Sequence, residues 1–277
     1  MRDEILTIFG LKHNPFARRI PSDALWRPPG CDAYFFRIES IVLDGGFALL
    51  CSEPGLGKSK LLQLLAEHLL GIGGDVVVGV MERPQSSVSD FYRELGDLFG
   101  VNLSPSNRYG GFKALRERWR HHIQSTMLRP VLLIDEAQEM AAHCLTEIRL
   151  LTSARFDSEC LLTTVLAGDG RLPERFRTKQ LAPLGSRIRT RWNLEPWERN
   201  AIRNFLEHSL EACGAPHLMT DDLKEALVEH AAGNLRILCS MGDELLHAGA
   251  QRKVKQLDEQ LFMELYDRKV GRGRKQT

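Results

Sequence analysis

The sequence predicts an α/β fold: a parallel sheet flanked by helices, followed by a small C-terminal all-helical lid domain. Three observations carry that prediction. Phe47–Cys51, Val76–Val80, Val131–Ile134 and Leu161–Ala167 are short apolar runs, as expected of strands buried on both faces. Stretches with helical spacing of apolar residues lie between them, which suits the crossovers that parallel strands require. Past Trp197 apolar residues recur only at helical spacing.

In chain order, Ile5, Leu6, Ile8 and Phe9 make a short amphipathic piece, and Pro15, Pro21, Pro28 and Pro29 hold the next stretch extended. Tyr34, Phe35, Ile38, Ile41 and Val42 fit a helix leading into the first strand. Leu61, Leu62, Leu65 and Leu69 mark the helix after it, which Gly71–Gly74 end. A helix over about Val88–Phe99 buries Phe91, Leu95 and Leu98. The polar interval from Gly100 to Gly111 reads as loop. The helix beyond it turns Phe112, Leu115, Trp119 and Ile123 inward and Lys113, Arg116, Arg118, Arg120, His121 and His122 outward. Leu184–Trp192 alternates basic with other residues, as an edge strand does. Ile202 to Leu210, Leu223 to His230, Leu235 to Leu245 and Leu257 to Leu265 supply the helices of the C-terminal block. Arg268 to Lys275 is basic and contains two glycines, which reads as an unstructured tail suited to nucleic acid.

Two stretches carry chemistry. In the first, the strand Phe47–Cys51 breaks at Ser52 into Glu53-Pro54-Gly55-Leu56-Gly57, and Lys58-Ser59-Lys60 open a helix. Gly55 and Gly57 let backbone N–H groups turn onto phosphate oxygens, and the helix N-terminus adds partial positive charge. Lys58 would reach the β- and γ-phosphates and the Ser59 hydroxyl would ligate Mg²⁺. Ser52 stands where the pattern G-x-x-x-x-G-K-[ST] has its first glycine. In the second, Val131–Ile134 ends in Asp135-Glu136 at the carboxyl end of a buried strand, where open α/β sheets bind ligands. Asp135 would hold the Mg²⁺ shell through water, and Glu136 would orient and deprotonate the attacking water. Asp169, closing the Leu161–Ala167 strand, either helps position that water or starts the following turn. Arg187, with Arg189 and Arg191 behind it, either reaches a neighbouring subunit's γ-phosphate or makes surface ion pairs. Arg236 opens a helix after Gly233-Asn234-Leu235, from which it could fold back on the nucleotide.

The chain has 277 residues, 43% hydrophobic and 26% charged, with a net charge of +1. That balance is ordinary for a globular protein and confines any polyanion-binding surface to a local patch. Six scattered cysteines, with no C-x-x-C pair, read as reduced thiols. No apolar run reaches the ~18 residues of a membrane span, and the N-terminus lacks a signal-peptide core. A cytoplasmic protein outside the membrane is expected.

With these residues assembled, the chain resembles AAA+ ATPases of the ExeA-like group over nearly its full length. That group includes a general-secretion ATPase and the TniB- and TnsC-like regulators of DNA transposition. The resemblance rests on Phe9-Gly10-Leu11, Asn14-Pro15-Phe16, the Glu53–Ser59 loop and Ile134-Asp135-Glu136-Ala137-Gln138. It continues in Glu147-Ile148-Arg149-Leu150-Leu151, Val165-Leu166-Ala167-Gly168, Ser186-Arg187-Ile188 and Gly233-Asn234-Leu235-Arg236. It implies Lys58 and Ser59 as Walker A, and Asp135 and Glu136 as Walker B. It further implies Asp169 as sensor 1 (relatives usually carry Gln there), Arg187 as arginine finger and Arg236 as sensor 2. Pro15 and Phe16 would lie near the adenine. The implied organisation is an N-terminal segment over 1–30, the AAA+ domain over 31–195, the helical lid over 196–268 and a basic tail over 269–277.

Because the chain ends after the lid, it is similar to the short members that accompany transposases. The leading expectation is an ATP- and Mg²⁺-dependent transposition regulator. It would oligomerise as a ring or filament on double-stranded DNA and recruit a transposase, with or without a target-selector protein. Arg83, Lys113, Arg116 and Arg120 are the candidate DNA contacts, although charged helix faces are also ordinary solvated surface. The alternatives are a secretion or envelope-assembly ATPase acting on protein partners, and a scaffold that binds nucleotide without turnover.

Overall fold

The computed structural model describes residues 2–73, 75–84, 86–103 and 107–273. It divides into two compact units. One comprises Gly30–Pro54 and Lys58–Glu195; the other comprises the described parts of Met1–Pro29, Gly55–Gly57 and Pro196–Thr277.

The first unit is built on a five-stranded sheet. Its strands are β1 (Gly46–Ser52), β2 (Val78–Met81), β3 (Val131–Ile134), β6 (Thr163–Gly168) and β7 (Ile188–Leu194), in the order β2-β3-β6-β1-β7. Every pairing is parallel; Leu49 lies opposite Leu166, Ile134 opposite Leu166, and Leu50 opposite Trp192. β1 and β3 are buried along their whole length, as continuous apolar runs require when helices cover both faces. β7 forms one edge and alternates: Ile188, Thr190 and Leu194 are buried while Arg189, Arg191 and Asn193 are exposed. The helices of this unit are α2 (Cys31–Asp44), α3 (Lys58–Gly71), α4 (Val88–Phe99), α5 (Arg108–Thr126), α6 (Ala142–Thr152), α7 (Arg171–Arg175) and α8 (Ala182–Gly185). Phe47, Phe91, Leu95, Leu115, Trp119, Leu132, Ile148 and Leu166 meet in one apolar core.

Local chemistry explains the helix limits. Ser87 caps α4 by accepting from the Asp90 N–H, and Gly100 ends that helix in left-handed backbone. Asn107 caps α5 in the same way through Gly110. A buried carboxylate then binds three helices together: Glu147 of α6 accepts from the Tyr92 hydroxyl of α4 at 2.9 Å and pairs with Arg108 of α5. Burial, then that carboxylate, push the Tyr92 hydroxyl pKa well above its ordinary value.

A hairpin absent from the sequence prediction follows α6. Its strands β4 (Ser153–Ala154) and β5 (Glu159–Cys160) pair antiparallel. Arg155, Phe156 and Asp157 at its turn all have positive φ (47°, 56° and 72°), and Phe156 is fully exposed. His122 also departs from expectation. It is buried rather than outward, and burial followed by the nearby Arg118 charge lower its pKa.

The second unit is helical: α1 (Arg2–Phe9), α9 (Arg199–Ala212), α10 (Asp221–Ala231), α11 (Leu235–Arg252) and α12 (Glu259–Gly273). Ile5, Leu11, Phe16, Ile202, Leu206, Leu227, Leu238, Leu245 and Phe262 form its core. Thr220 caps α10, and Asn234 caps α11 by accepting from the N–H groups of Arg236 and Ile237. α12 continues through Gly273, past the boundary expected at residue 268. The tail expected to be unstructured is therefore helical over 269–273, and Arg274 and Lys275 lie outside the described residues. Gly271 and Gly273 suggested a break, but glycine only weakens a helix by roughly 1 kcal/mol against alanine. The described cysteines are all free thiols. Among the described residues no helix is long and apolar enough to cross a membrane.

Candidate functional site

The loop between β1 and α3 is shaped by two glycines. Gly55 and Gly57 have φ of 95° and 97°, where a side chain would strain the backbone, so the chain turns twice before Lys58 starts α3. Leu56 between them is buried. Within the helical unit, the Arg236 N–H donates to the Gly55 carbonyl at 3.1 Å and Trp197 Nε1 to the Leu56 carbonyl at 2.9 Å. Glu53 and Pro54 are exposed, and Lys60 reaches Gln63 at 3.3 Å. Ser52, in the place of the pattern's first glycine, is buried and its hydroxyl has no hydrogen-bond partner.

Lys58 and Ser59 meet the acidic end of β3. Lys58 Nζ donates to Asp135 Oδ1 at 2.7 Å and to Glu136 Oε1 at 2.5 Å, and Ser59 Oγ donates to Asp135 Oδ2 at 2.7 Å. The Lys58 side chain is 9% exposed, while the Glu136 side chain is 49% exposed and open to solvent. Burial pulls the Lys58 pKa down, but the hydrogen bonds and charges of Asp135 and Glu136 together outweigh it and hold the amine above its ordinary range. Glu136 sits at φ 51°, in left-handed backbone that is costly for a side-chain residue. That turn brings its N–H onto Asp135 Oδ1 at 2.8 Å and its carboxylate back onto Lys58. The Ser59 hydroxyl and Asp135 carboxylate are hard oxygen donors, which suit Mg²⁺ better than a soft metal. Among the described residues no cluster of three or more His, Cys, Asp or Glu could hold a metal alone.

Beside the end of β6, in the 3-10 turn after β3, lies a residue to which the sequence reading gave no role. Gln138 is 6% exposed; its Nε2 donates to Glu136 Oε2 at 2.5 Å and its Oε1 accepts from the Asp169 N–H at 3.2 Å. Gly168 makes room for it, since a Cβ there would stand 2.5 Å from Gln138 Oε1. Arg175 donates to the carbonyls of Gln138 and, at 2.7 Å, Met140, bracing the turn that follows Glu136. Asp169 itself faces Arg171, which grips both its oxygens at 2.9–3.1 Å and also reaches Glu139 at 2.5 Å. Arg171's hydrogen bonds hold the Asp169 carboxyl below the usual carboxylate range against the opposing effect of burial. A depressed folded-state pKa contributes stability above the unfolded value, lost as pH falls through the folded one. The stability gap between the wild type and Arg171→Ala is therefore expected to be constant near neutrality and to close below about pH 4, read by chemical denaturation at a series of pH values.

The remaining expected residues are dispersed. Arg187 is ion-paired with Asp157 of the hairpin and donates to the Pro183 carbonyl. Arg191 donates to the Gly185 carbonyl at 3.0 Å, and Arg189 is exposed on the same strand. Arg236 is exposed in the first turn of α11. Pro15 and Phe16 are buried in the helical unit, where Asn14 bonds Asp243 at 2.7 Å and the Phe16 ring packs onto Gly242. Arg83, Lys113 and Arg120 are exposed, Lys113 lying 3.9 Å from Glu117. Arg116 differs. Its Nη1 donates to the carbonyls of Leu150, Leu151 and Ser153 at 2.5–3.1 Å, capping the C-terminus of α6, and its guanidinium lies 5.0 Å from the Phe112 ring centroid.

Residues 42–176 match the family model described as an AAA domain. General secretion pathway protein A of Aeromonas hydrophila is 27% identical over 212 residues, 75% of this chain but 38% of that protein. The chain thus spans well under half of that relative's length. Among solved structures, the ADP form of the ORC2 protein of Aeropyrum pernix has a TM-score of 0.70 at 15% identity, covering 92% of this chain and 72% of that one. The ORC1 protein of the same organism, in complex with DNA, has a TM-score of 0.66 at 15% identity, covering 93% and 69%. Residues 42–176 therefore resemble an AAA domain, and the chain has a parallel α/β fold like that of the AAA+ P-loop ATPases.

Proposed function

We propose that this protein is an ATPase that acts as an oligomer on double-stranded DNA, where it regulates transposition by recruiting a transposase. The observation carrying the ATPase reading is the convergence of Lys58, Ser59, Asp135 and Glu136 at the carboxyl ends of β1 and β3, beside a glycine loop. Lys58 would exchange its carboxylate partners for β- and γ-phosphate oxygens. Ser59 and Asp135 would hold Mg²⁺, which neutralises charge developing on the phosphates. Glu136, released from Lys58 and open to solvent, would accept the proton of the attacking water. Arg187, with Arg189 and Arg191 as alternatives, would complete a neighbour's site; for Arg187 that requires leaving Asp157. Arg236 would reach the nucleotide from the start of α11, with Pro15 and Phe16 placed toward the base.

The DNA reading rests on the resemblance to transposition regulators and on the likeness to an ORC1 protein solved with DNA. Contacts would be directed at phosphates and hence salt-sensitive. Arg83, Lys113, Arg116 and Arg120 are the candidates, Arg116 with its Nη1 already donating to carbonyls at the end of α6. The General secretion pathway protein A relative favours a second reading, in which the ATPase works on protein partners. Electron microscopy with duplex DNA and a non-hydrolysable ATP analogue separates the two. Rings or filaments on DNA are expected. ATP turnover indifferent to DNA, with no nucleotide-dependent gel shift at low salt, would favour the protein-directed reading.

A further inference from the structure

The Glu136 carboxylate is held at both oxygens: Oε1 by Lys58 and Oε2 by the amide of Gln138. The two contacts differ in kind. Lys58 is the group that the proposed nucleotide would draw away, whereas Gln138 is buried and anchored from behind. Its amide orientation is dictated, because the Asp169 N–H can only donate; that assigns Oε1 to Asp169 and leaves Nε2 for Glu136. The anchor is shaped on three sides. Gly168 supplies the space, Arg175 holds the Gln138 carbonyl, and the left-handed backbone of Glu136 aims its side chain at the amide.

We propose that Gln138 is a positioning residue for hydrolysis, a buried amide clip that keeps the Glu136 carboxylate aimed once Lys58 has turned to phosphate. The clip ties Glu136 to the backbone at the end of β6, so the base and that strand end move as one. The proposal rests on the hydrolytic reading above.

Gln138→Ala removes the clip and is expected to lower kcat about 100-fold, the scale of a misplaced catalytic group, with nucleotide affinity changed less than about twofold. In a Glu136→Gln background the same substitution should change the residual rate little, because residues acting as a unit are not additive. Gln138→Glu keeps the volume but cannot donate when ionised. It is expected to lower kcat as Gln138→Ala does, again with nucleotide affinity little changed. If Gln138→Ala does not fold, Gln138→Glu carries the test through the same comparison of kcat with affinity and the same Glu136→Gln background. The proposal is overturned if kcat is unchanged, or if the substitution at 138 costs as much with Glu136→Gln as without it. Full turnover by Glu136→Gln alone would instead overturn the hydrolytic reading.

Discussion

Lys58→Ala is expected to lower ATP turnover and nucleotide affinity by about 100- to 1000-fold, the scale seen when a charge-stabilising donor is removed from a closed site. Equilibrium binding of a fluorescent ATP analogue and a phosphate-release assay check both numbers. The physical basis is the position of the ammonium. It is buried at the start of α3, shares two carboxylates, and is held charged by them well above neutral pH. Its loss leaves Asp135 and Glu136 facing one another without a cation, which weakens anion binding through repulsion as well as through the missing contact. Unchanged affinity in this variant would remove the nucleotide from the site altogether.

Glu136→Gln is expected to separate binding from turnover, lowering kcat by about 100- to 10,000-fold while nucleotide affinity is retained. The amide preserves shape and can still accept from Lys58, but it cannot take a proton from water. Assemblies formed with ATP should then outlive those of the wild type, because hydrolysis is the step proposed to dismantle them. Single-turnover kinetics beside light scattering measures both. Equal lifetimes of the two proteins' assemblies would show that disassembly is set by something other than hydrolysis.

The strands that place this site were legible because β1, β3 and β6 are buried on both faces and so read as unbroken apolar runs. The loop was legible because only glycine serves at φ near 95°. Other features left weaker traces. Gln138 lies in a 3-10 turn too short for any periodicity, and its burial depends on Gly168, a residue on a different strand. Arg116 shows why a charged helix face is ambiguous. Its Cα lies on an outward face, yet the long side chain carries the guanidinium back to the carbonyls of α6. The hairpin of β4 and β5 has strands of two residues each, below the length at which alternation is visible. For Arg187 the sequence leaves a finger role and a surface ion pair both open; its partner Asp157 is thirty residues distant and offers no local signal.

Three consecutive side-chain-bearing residues, Arg155, Phe156 and Asp157, run through left-handed backbone at the hairpin corner. Each costs on the order of 1–2 kcal/mol, and the phenyl ring of Phe156 recovers none of that by leaving water. The corner is held by Asp157, through Arg187 and the Ser153 hydroxyl at 2.6 Å, and by Ser158, whose N–H and hydroxyl both donate to the Arg155 carbonyl. Through Asp157 the bend is tied both to Ser153 at the start of β4 and to Arg187 just before β7, so a costly backbone is kept by ties to two separate strands.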